Sequence, residues 1–277
     1  MKFLIPVDFS EASESMLRFA FDLNGHFFAR LEILHLFDIP ITVGDDSEVY
    51  LRNYDAYRKG FEDELWEFVR RNKGEHRYET EVYATSGGHY QGIVDFADKH
   101  RPDLIIVGHR GAGALRRWFF GSVSRYLLTH PPVPVLSVPE NHPPLADRPV
   151  SRILLATDLV APIPEESTRF LKDFAGKLKA DIDLVHVRVK DELKLPDEDA
   201  VKASMENGFG TAMEVIPTGS DGQISLTIDR TVKSGGYDLL VTVPHEHTWI
   251  DRLMIGSETR ELAGIMEIPM LSLPGGQ

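Results

Sequence analysis

The feature that most constrains the fold of this chain is an internal repeat of short apolar runs with matching polar residues. Leu155-Ala156-Thr157-Asp158 repeats Ile5-Pro6-Val7-Asp8 at an offset of 150 residues. Val185-His186-Val187 repeats Leu34-His35-Leu36 at an offset of 151 residues. Short apolar runs bounded by turn residues are typical of buried strands. The chain is therefore predicted to contain two copies of one strand-rich unit.

The second copy is shorter than the first. Asp238-Leu239-Leu240-Val241 repeats Asp103-Leu104-Ile105-Ile106 at an offset of 135 residues, and Pro269-Met270-Leu271-Ser272 repeats Pro134-Val135-Leu136-Ser137 at the same offset. The second copy has therefore lost 16 residues between its second and fourth strands. In this interval the first copy has large apolar side chains at three- and four-residue spacing, which predicts a long helix over residues 50–71.

A glycine-containing segment follows the apolar run 104–107. It includes Gly108 and Gly111, and the pair Gly121-Ser122 comes after nine intervening residues. A strand that ends in glycines and is followed by a helix start is typical of phosphate binding, because the backbone can approach the anion and the N–H groups of the helix start point at it. Glycine in such a loop can also serve turn geometry alone. Residues 121–124 are predicted to form the helix start.

Asp8 stands directly after the first predicted strand, and Ser10 is predicted to be the N-cap of the helix that follows. In an open parallel sheet, ligands bind beyond the carboxyl ends of the strands. Asp8 and Gly108 both follow strands and are therefore expected at the same edge of the sheet.

These residues resemble the universal stress protein family, and the resemblance covers the whole chain, twice. The ATP-binding members of that family carry a loop of the form Gly-x2-Gly-x9-Gly-Ser/Thr, which this sequence matches at Gly108, Gly111, Gly121 and Ser122. The resemblance implies an α/β fold of two tandem doubly wound domains, each an open five-stranded parallel sheet with flanking helices. This is also the architecture of the adenine nucleotide alpha hydrolase-like proteins.

The resemblance also implies the domain boundaries. Residues 1–140 form the first domain, with an intact nucleotide loop, and residues 151–277 form a shorter second domain with a degenerate one. Residues 141–150 are rich in proline and are predicted to be the linker. The last strands of the two domains, residues 135–138 and 270–273, are expected to pair, so that the chain acts as its own dimer. A homodimer of such chains is a further option.

The family resemblance implies a site for an adenine nucleotide, which is ATP or else ADP or AMP, with Mg²⁺ bound through the phosphates. The residues it assigns to this site are Pro6, Val7, Asp8, Leu36, Val107, Gly108, Gly111, Gly121, Ser122 and Val123. The apolar residues among them are expected to line the adenine, Asp8 to contact the nucleoside, and the loop to hold the ribose and the phosphates. No catalytic residue and no protein-ligated metal is predicted.

The second copy departs from the loop pattern. At an offset of 135 residues, Val243 replaces Gly108 and Glu246 replaces Gly111, while Gly256-Ser257 is retained. A carboxylate about 4 Å from a phosphate repels it by roughly 4 kcal/mol at an effective dielectric near 20. One nucleotide per chain, in the N-terminal half, is therefore predicted.

The net charge and the composition exclude some classes of binding partner. The formal net charge is −13, whereas nucleic-acid binding requires clustered lysine and arginine, so no nucleic-acid partner is expected. No segment approaches about 18 uninterrupted apolar residues, so no membrane span is expected and the cytoplasm is the expected location. The chain has no cysteine, which excludes disulfides and thiolate metal sites.

Three functions remain open from the sequence. The first is an ATP-binding regulatory stress-response protein that acts through nucleotide-dependent conformation or contacts with an unidentified protein partner. The second is a slow ATPase or phosphotransferase, for which the sequence offers no evident general base. The third is a nucleotide-independent scaffold, against which the intact first loop argues. The first is the favoured hypothesis.

Overall fold

The computed structural model describes residues 1–38, 47–109, 121–189, 195–218, 223–244, 265 and 267–275. The strands and helices of the first half are β1 (Lys2–Pro6), α1 (Glu11–Phe27), β2 (Arg30–Phe37), α2 (Ser47–Asn72), β3 (Thr80–Ser86), α3 (His89–His100), β4 (Leu104–His109), α4 (Ser122–Thr129) and β5 (Val135–Pro139). Those of the second half are β6 (Arg152–Thr157), α5 (Glu165–Leu178), β7 (Asp181–Arg188), α6 (Glu198–Phe209), β8 (Met213–Pro217), α7 (Ile224–Gly235), β9 (Leu239–Thr242) and β10 (Met270–Ser272).

The described strands form one sheet in the order β3-β2-β1-β4-β5-β10-β9-β6-β7-β8. All pairs within each half are parallel, and the halves meet where β5 and β10 pair antiparallel, with Leu136 opposite Leu271. The predicted α/β class is confirmed, and so is the predicted pairing of the last strands. The two five-stranded parallel sheets are joined edge to edge rather than standing as separate open sheets. The boundaries at residues 140 and 151 stay a prediction.

Both faces of the sheet are covered by helices. Phe3 and Ile5 of β1 point into a buried cluster that includes apolar residues of α1 and α2, while Leu4 points into a second cluster with residues of α3 and α4. Each cluster contains residues from both halves of the chain. Burial on both faces explains why the central strands appear in the sequence as continuous apolar runs.

The lengths of two helices account for most of the difference between the copies. The helix α2 has 26 residues and contains the helix predicted over residues 50–71, whereas its counterpart α6 has 12. Among the helices that the structure describes, none has the length and apolar character needed to cross a membrane.

The backbone repeats its unusual conformations as well. Phe9 and Leu159, which follow the two equivalent aspartates, both have a left-handed φ, of 61° and 59°. Phe28 and Lys179, which end α1 and α5, also match, with φ of 52° and 58°. A left-handed conformation is unfavourable for such residues by about 1 kcal/mol or more, so its recurrence indicates that the fold imposes it.

Replacing Leu271 tests the importance of the β5–β10 junction. Leu271 is fully buried, so Leu271→Ala is expected to lower the free energy of unfolding by about 2–5 kcal/mol. The matched substitution Val215→Ala, on the outer strand β8 where Val215 is 38% exposed, should change it by about 0.5 kcal/mol or less. Urea unfolding followed by circular dichroism measures both. Equal effects of the two substitutions would contradict the assigned junction.

Candidate functional site

A cavity of about 420 Å³ lies at the carboxyl ends of β1 and β4, between the first turns of α1 and α4. Small-molecule sites occupy clefts of about 300–1,000 Å³, so the volume suits a ligand of nucleotide size. The cavity is lined by Pro6, Val7, Asp8, Ser10, Ala12, Ser13, Leu34, Leu36, Ile93, Val107, Gly108, His109, Gly121, Ser122, Val123 and Ser124.

The structure brings together nine of the residues that the sequence assigned to the site. These are Pro6, Val7, Asp8, Leu36, Val107, Gly108, Gly121, Ser122 and Val123. The tenth, Gly111, lies outside the described residues, as do Arg110, Arg116 and Arg117 of the same loop. That these residues bind a nucleotide stays a prediction.

One wall of the cavity is apolar. Leu36 comes from β2, Val107 from β4, and Ile93 from α3. The helix α3 lies close to this wall because Gly92 has no side chain. A Cβ at that position would be only 3.0 Å from Leu36 Cδ1. The wall can therefore accept a flat apolar group.

Asp8 is held by a local hydrogen-bond network at the end of β1. Its Oδ1 accepts hydrogen bonds from Ser10 N at 3.1 Å, from Ser10 Oγ at 2.5 Å and from Ser13 Oγ at 2.6 Å. Ser10 Oγ in turn accepts from Ser13 N at 3.2 Å, which confirms Ser10 as the N-cap of α1. Burial raises the pKa of Asp8, but the hydrogen bonds from Ser10 and Ser13 outweigh it, so the pKa lies below its ordinary value. Asp8 is therefore a fixed carboxylate whose Oδ1 carries the bonds to Ser10 and Ser13.

Two equivalent histidines fix the strand ends. His35 Nδ1 donates to the Val7 carbonyl at 2.9 Å, and His186 Nδ1 donates to the Thr157 carbonyl at 3.0 Å. The ring of Phe9 lies 4.5 Å from that of His35, centroid to centroid. These histidines hold the backbone just before Asp8 and Asp158, as expected of hydrogen-bonded structural residues.

The helix α4 supplies the polar end of the cavity. Its N-cap Gly121 is extended, with φ −60° and ψ 161°, and gives no side-chain hydrogen bond to the first turn. Ser124 Oγ donates to the Gly108 carbonyl at 2.7 Å and so ties the helix to β4. The first N–H groups of a helix have no partner within it and carry partial positive charge. This end of the cavity is therefore suited to an anion.

The two described loop glycines serve different purposes. A Cβ on Gly108 would be 3.3 Å from the Ala12 carbonyl and 3.5 Å from Met16 Cβ, so this glycine lets α1 pack against β4. A Cβ on Gly121 would meet nothing within 4 Å. Gly108 is thus required for helix packing, and no described residue restricts the space beside Gly121. That the glycines give room to an anion stays a prediction.

His109 is a lining residue that sequence reasoning missed. It is 2% exposed, and its Nδ1 lies 2.8 Å from Ser137 Oγ on β5. The sequence interpretation considered the glycines and the arginines of the loop but not His109, whose partner is 28 residues away. The available signal was strand alternation, which places His109 on the same face of β4 as Val107.

The second half keeps part of this arrangement. Asp158 Oδ1 accepts from Val160 N at 3.1 Å, as Asp8 Oδ1 does from Ser10 N, but Val160 has no hydroxyl to offer. Glu246, Gly256 and Ser257 lie outside the described residues. Within the described ranges, no group of three histidine, aspartate or glutamate side chains is placed to hold a metal ion.

Comparison with known proteins finds similarity to universal stress proteins in both sequence and structure. The model of the universal stress protein family matches residues 1–139. A universal stress protein of Methanocaldococcus jannaschii is 27% identical over 137 residues, which are 50% of this chain and 81% of that protein. The crystal structure of a universal stress protein of Archaeoglobus fulgidus aligns with 100% of this chain and 97% of its own, at a TM-score of 0.64 and 18% identity. The crystal structure of a functionally unknown protein of Pseudomonas aeruginosa aligns with 99% of this chain and 92% of its own, at a TM-score of 0.58 and 17% identity.

The lowered pKa of Asp8 predicts a pH-dependent contribution to stability. A depressed folded-state pKa means that the carboxylate stabilises the fold above the unfolded-state pKa, near 4, and that this contribution disappears as the pH falls through the folded-state value. The difference in free energy of unfolding between wild type and Asp8→Asn should therefore be larger at about pH 6 than at about pH 3.

Urea unfolding at both pH values measures this difference. Ser13→Ala removes one of the hydrogen bonds to Asp8. The free energy of unfolding that Asp8 contributes should therefore change less between the two pH values in this variant than in the wild type. A difference between wild type and Asp8→Asn that stays constant with pH would show that the network does not stabilise the carboxylate.

Proposed function

The chain belongs to the universal stress protein family, and on this basis we propose that its N-terminal half binds one adenine nucleotide and acts as a nucleotide-dependent regulator in the stress response. The bound species is ATP, or else ADP or AMP, with Mg²⁺ carried by the phosphates. The protein acts in the cytoplasm, on a protein partner that the nucleotide-bound conformation recognises.

The observation that carries this proposal is the order of surfaces along the cavity. The apolar wall of Leu36 and Val107 suits the flat face of adenine. The carboxylate of Asp8 can accept hydrogen bonds from ribose hydroxyls, and the first turn of α4 offers N–H groups to phosphate. An apolar pocket with a few convergent polar groups is the usual form of a small-molecule site.

The described lining favours binding over catalysis. The hydroxyls of Ser10 and Ser13 donate to Asp8, and that of Ser124 donates to the Gly108 carbonyl, so these three are engaged in fixing the backbone. Asp8 is a weak base because its pKa is lowered. Slow hydrolysis is therefore the most that these four side chains support. The 420 Å³ cavity in turn favours a ligand-binding protein over a scaffold.

We place no nucleotide in the C-terminal half. Val243 and Pro244 stand where the first half has Gly108 and His109, and proline removes a backbone donor. Val160 stands in place of Ser10, so Asp158 lacks the hydroxyl that supports Asp8. The second half then has a structural role, in which its strand β10 pairs with β5 of the first half.

Calorimetric titration of the nucleotide-stripped chain with ATP and Mg²⁺ tests the proposed function. A stoichiometry near one nucleotide per chain is expected. A value near two would overturn the degenerate second site. If the chain binds none of ATP, ADP and AMP, the proposed function is wrong and the nucleotide-independent scaffold becomes the favoured hypothesis.

The substitution Gly121→Ala tests the phosphate end of the cavity. The added methyl meets no atom of the described residues within 4 Å, so the fold should persist while the methyl obstructs the approach of phosphate. The dissociation constant for ATP is expected to rise about tenfold or more. Gly88→Ala is the matched control, because Gly88 is the N-cap of α3 with a similar extended backbone, has equal room and does not line the cavity. Equal affinities of the two variants would contradict phosphate binding at α4.

A further inference from the structure

The helix α4 depends on its surroundings for its position. It has eight residues, the fewest of the described helices, and its N-cap, Gly121, has no side chain to cap the first turn. Isolated helices shorter than about 12 residues are marginal in water. The direction of its N–H groups at the cavity is therefore set by contacts with the rest of the protein.

Two buried serine hydroxyls fasten α4 at its two ends. Ser124 Oγ donates to the Gly108 carbonyl at 2.7 Å near the start of the helix. Ser272 Oγ donates to the Leu128 carbonyl, also at 2.7 Å, near its end. Ser272 is fully buried and belongs to β10, so this second contact comes from the C-terminal half of the chain.

The sequence explains why Leu128 needs a donor from elsewhere. In a continued helix its carbonyl would accept from the N–H of residue 132, but that residue is Pro132, which has none. Leu127 and Leu128 are fully buried and belong to the same apolar cluster as Met270. A buried carbonyl without a donor is unfavourable, and Ser272 satisfies it.

We propose that Ser272 is a positioning residue of the nucleotide site: by holding the C-terminal end of α4 at Leu128, the C-terminal half fixes the direction in which the first turn of α4 faces the cavity. This inference rests on the proposed function, since it requires phosphate at the first turn of α4. The C-terminal half then contributes to a site in which it places no lining residue among those described.

The counterpart of Ser272 supports the same site from the other strand of the junction. Ser137, at the equivalent position of β5, is fully buried and lies 2.8 Å from His109 Nδ1 in the cavity wall. Ser137 pairs with Met270, and Ser272 pairs with Val135, so both serines lie in the short stretch where the halves meet. The β5–β10 junction thus contacts both β4 and α4, the two elements that flank the polar end of the cavity.

The experiment compares two serine-to-alanine variants of the full chain. Ser272→Ala removes the hydrogen bond to α4. Ser167→Ala is the matched control, because Ser167 is 4% exposed and its Oγ donates to the Pro274 carbonyl at 2.9 Å, within the C-terminal half. Dissociation constants for AMP and for adenosine, which lacks phosphate, are measured for wild type and both variants. Ser272→Cys, which nearly keeps the side-chain volume but is a weak donor, serves if Ser272→Ala does not fold.

The ratio of adenosine to AMP affinity is the decisive readout. Ser272→Ala is expected to weaken AMP binding about tenfold while adenosine binding changes less than about twofold, and Ser167→Ala should leave both constants near wild type. Equal AMP affinities of the two variants, or an equal loss for adenosine and AMP in Ser272→Ala, would overturn the role of Ser272. If the wild type binds ATP or ADP but not AMP, that nucleotide takes the place of AMP in the comparison. If the wild type binds none of ATP, ADP, AMP and adenosine, the proposed function fails instead.

Discussion

The antiparallel pairing of β5 with β10 is the contact on which the rest of the structure depends. It joins two five-stranded parallel sheets into one, and its residues, from Val135 to Val138 and from Met270 to Leu273, are almost fully buried. An unpaired apolar strand at that position would be open to association with other chains. The pairing leaves β3 and β8 as the outer strands, and it merges the apolar residues of the two halves into shared clusters.

The two halves share their backbone conformation around the aspartates Asp8 and Asp158 but differ in the side chains around them. Both place a histidine against the carbonyl before an aspartate, and both follow that aspartate with a left-handed residue. In the first half the hydroxyls of Ser10 and Ser13 donate to Asp8, and a cavity lies at the carboxyl ends of β1 and β4. In the second half Val160 takes the position of Ser10. The shared backbone framework is therefore a property of the fold, whereas the proposed ligand site depends on a few side chains of the first half.

Much of the fold could be predicted from the sequence, because buried parallel strands are apolar on both faces and appear as continuous runs. The outer strands β3 and β8 are harder to recognise in the sequence, since they are only partly buried and carry charged residues such as Glu81 and Glu214. Residues of the cavity could be predicted where a motif is local in sequence, as with Asp8, and so could the N-cap Ser10. His109 and Ser272 were not found, because their partners come from distant strands and helices. The left-handed Phe9 gave no signal either, since it is not a glycine.

A crystal structure of the full chain grown with AMP would show whether and where the protein binds a nucleotide. One AMP molecule per chain is expected, in the N-terminal half. Its adenine should lie between Leu36 and Val107, its ribose hydroxyls against Asp8 Oδ2, and its phosphate at the N–H groups that begin α4. Density for AMP in the C-terminal half alone, or with its phosphate directed away from α4, would contradict the proposed site.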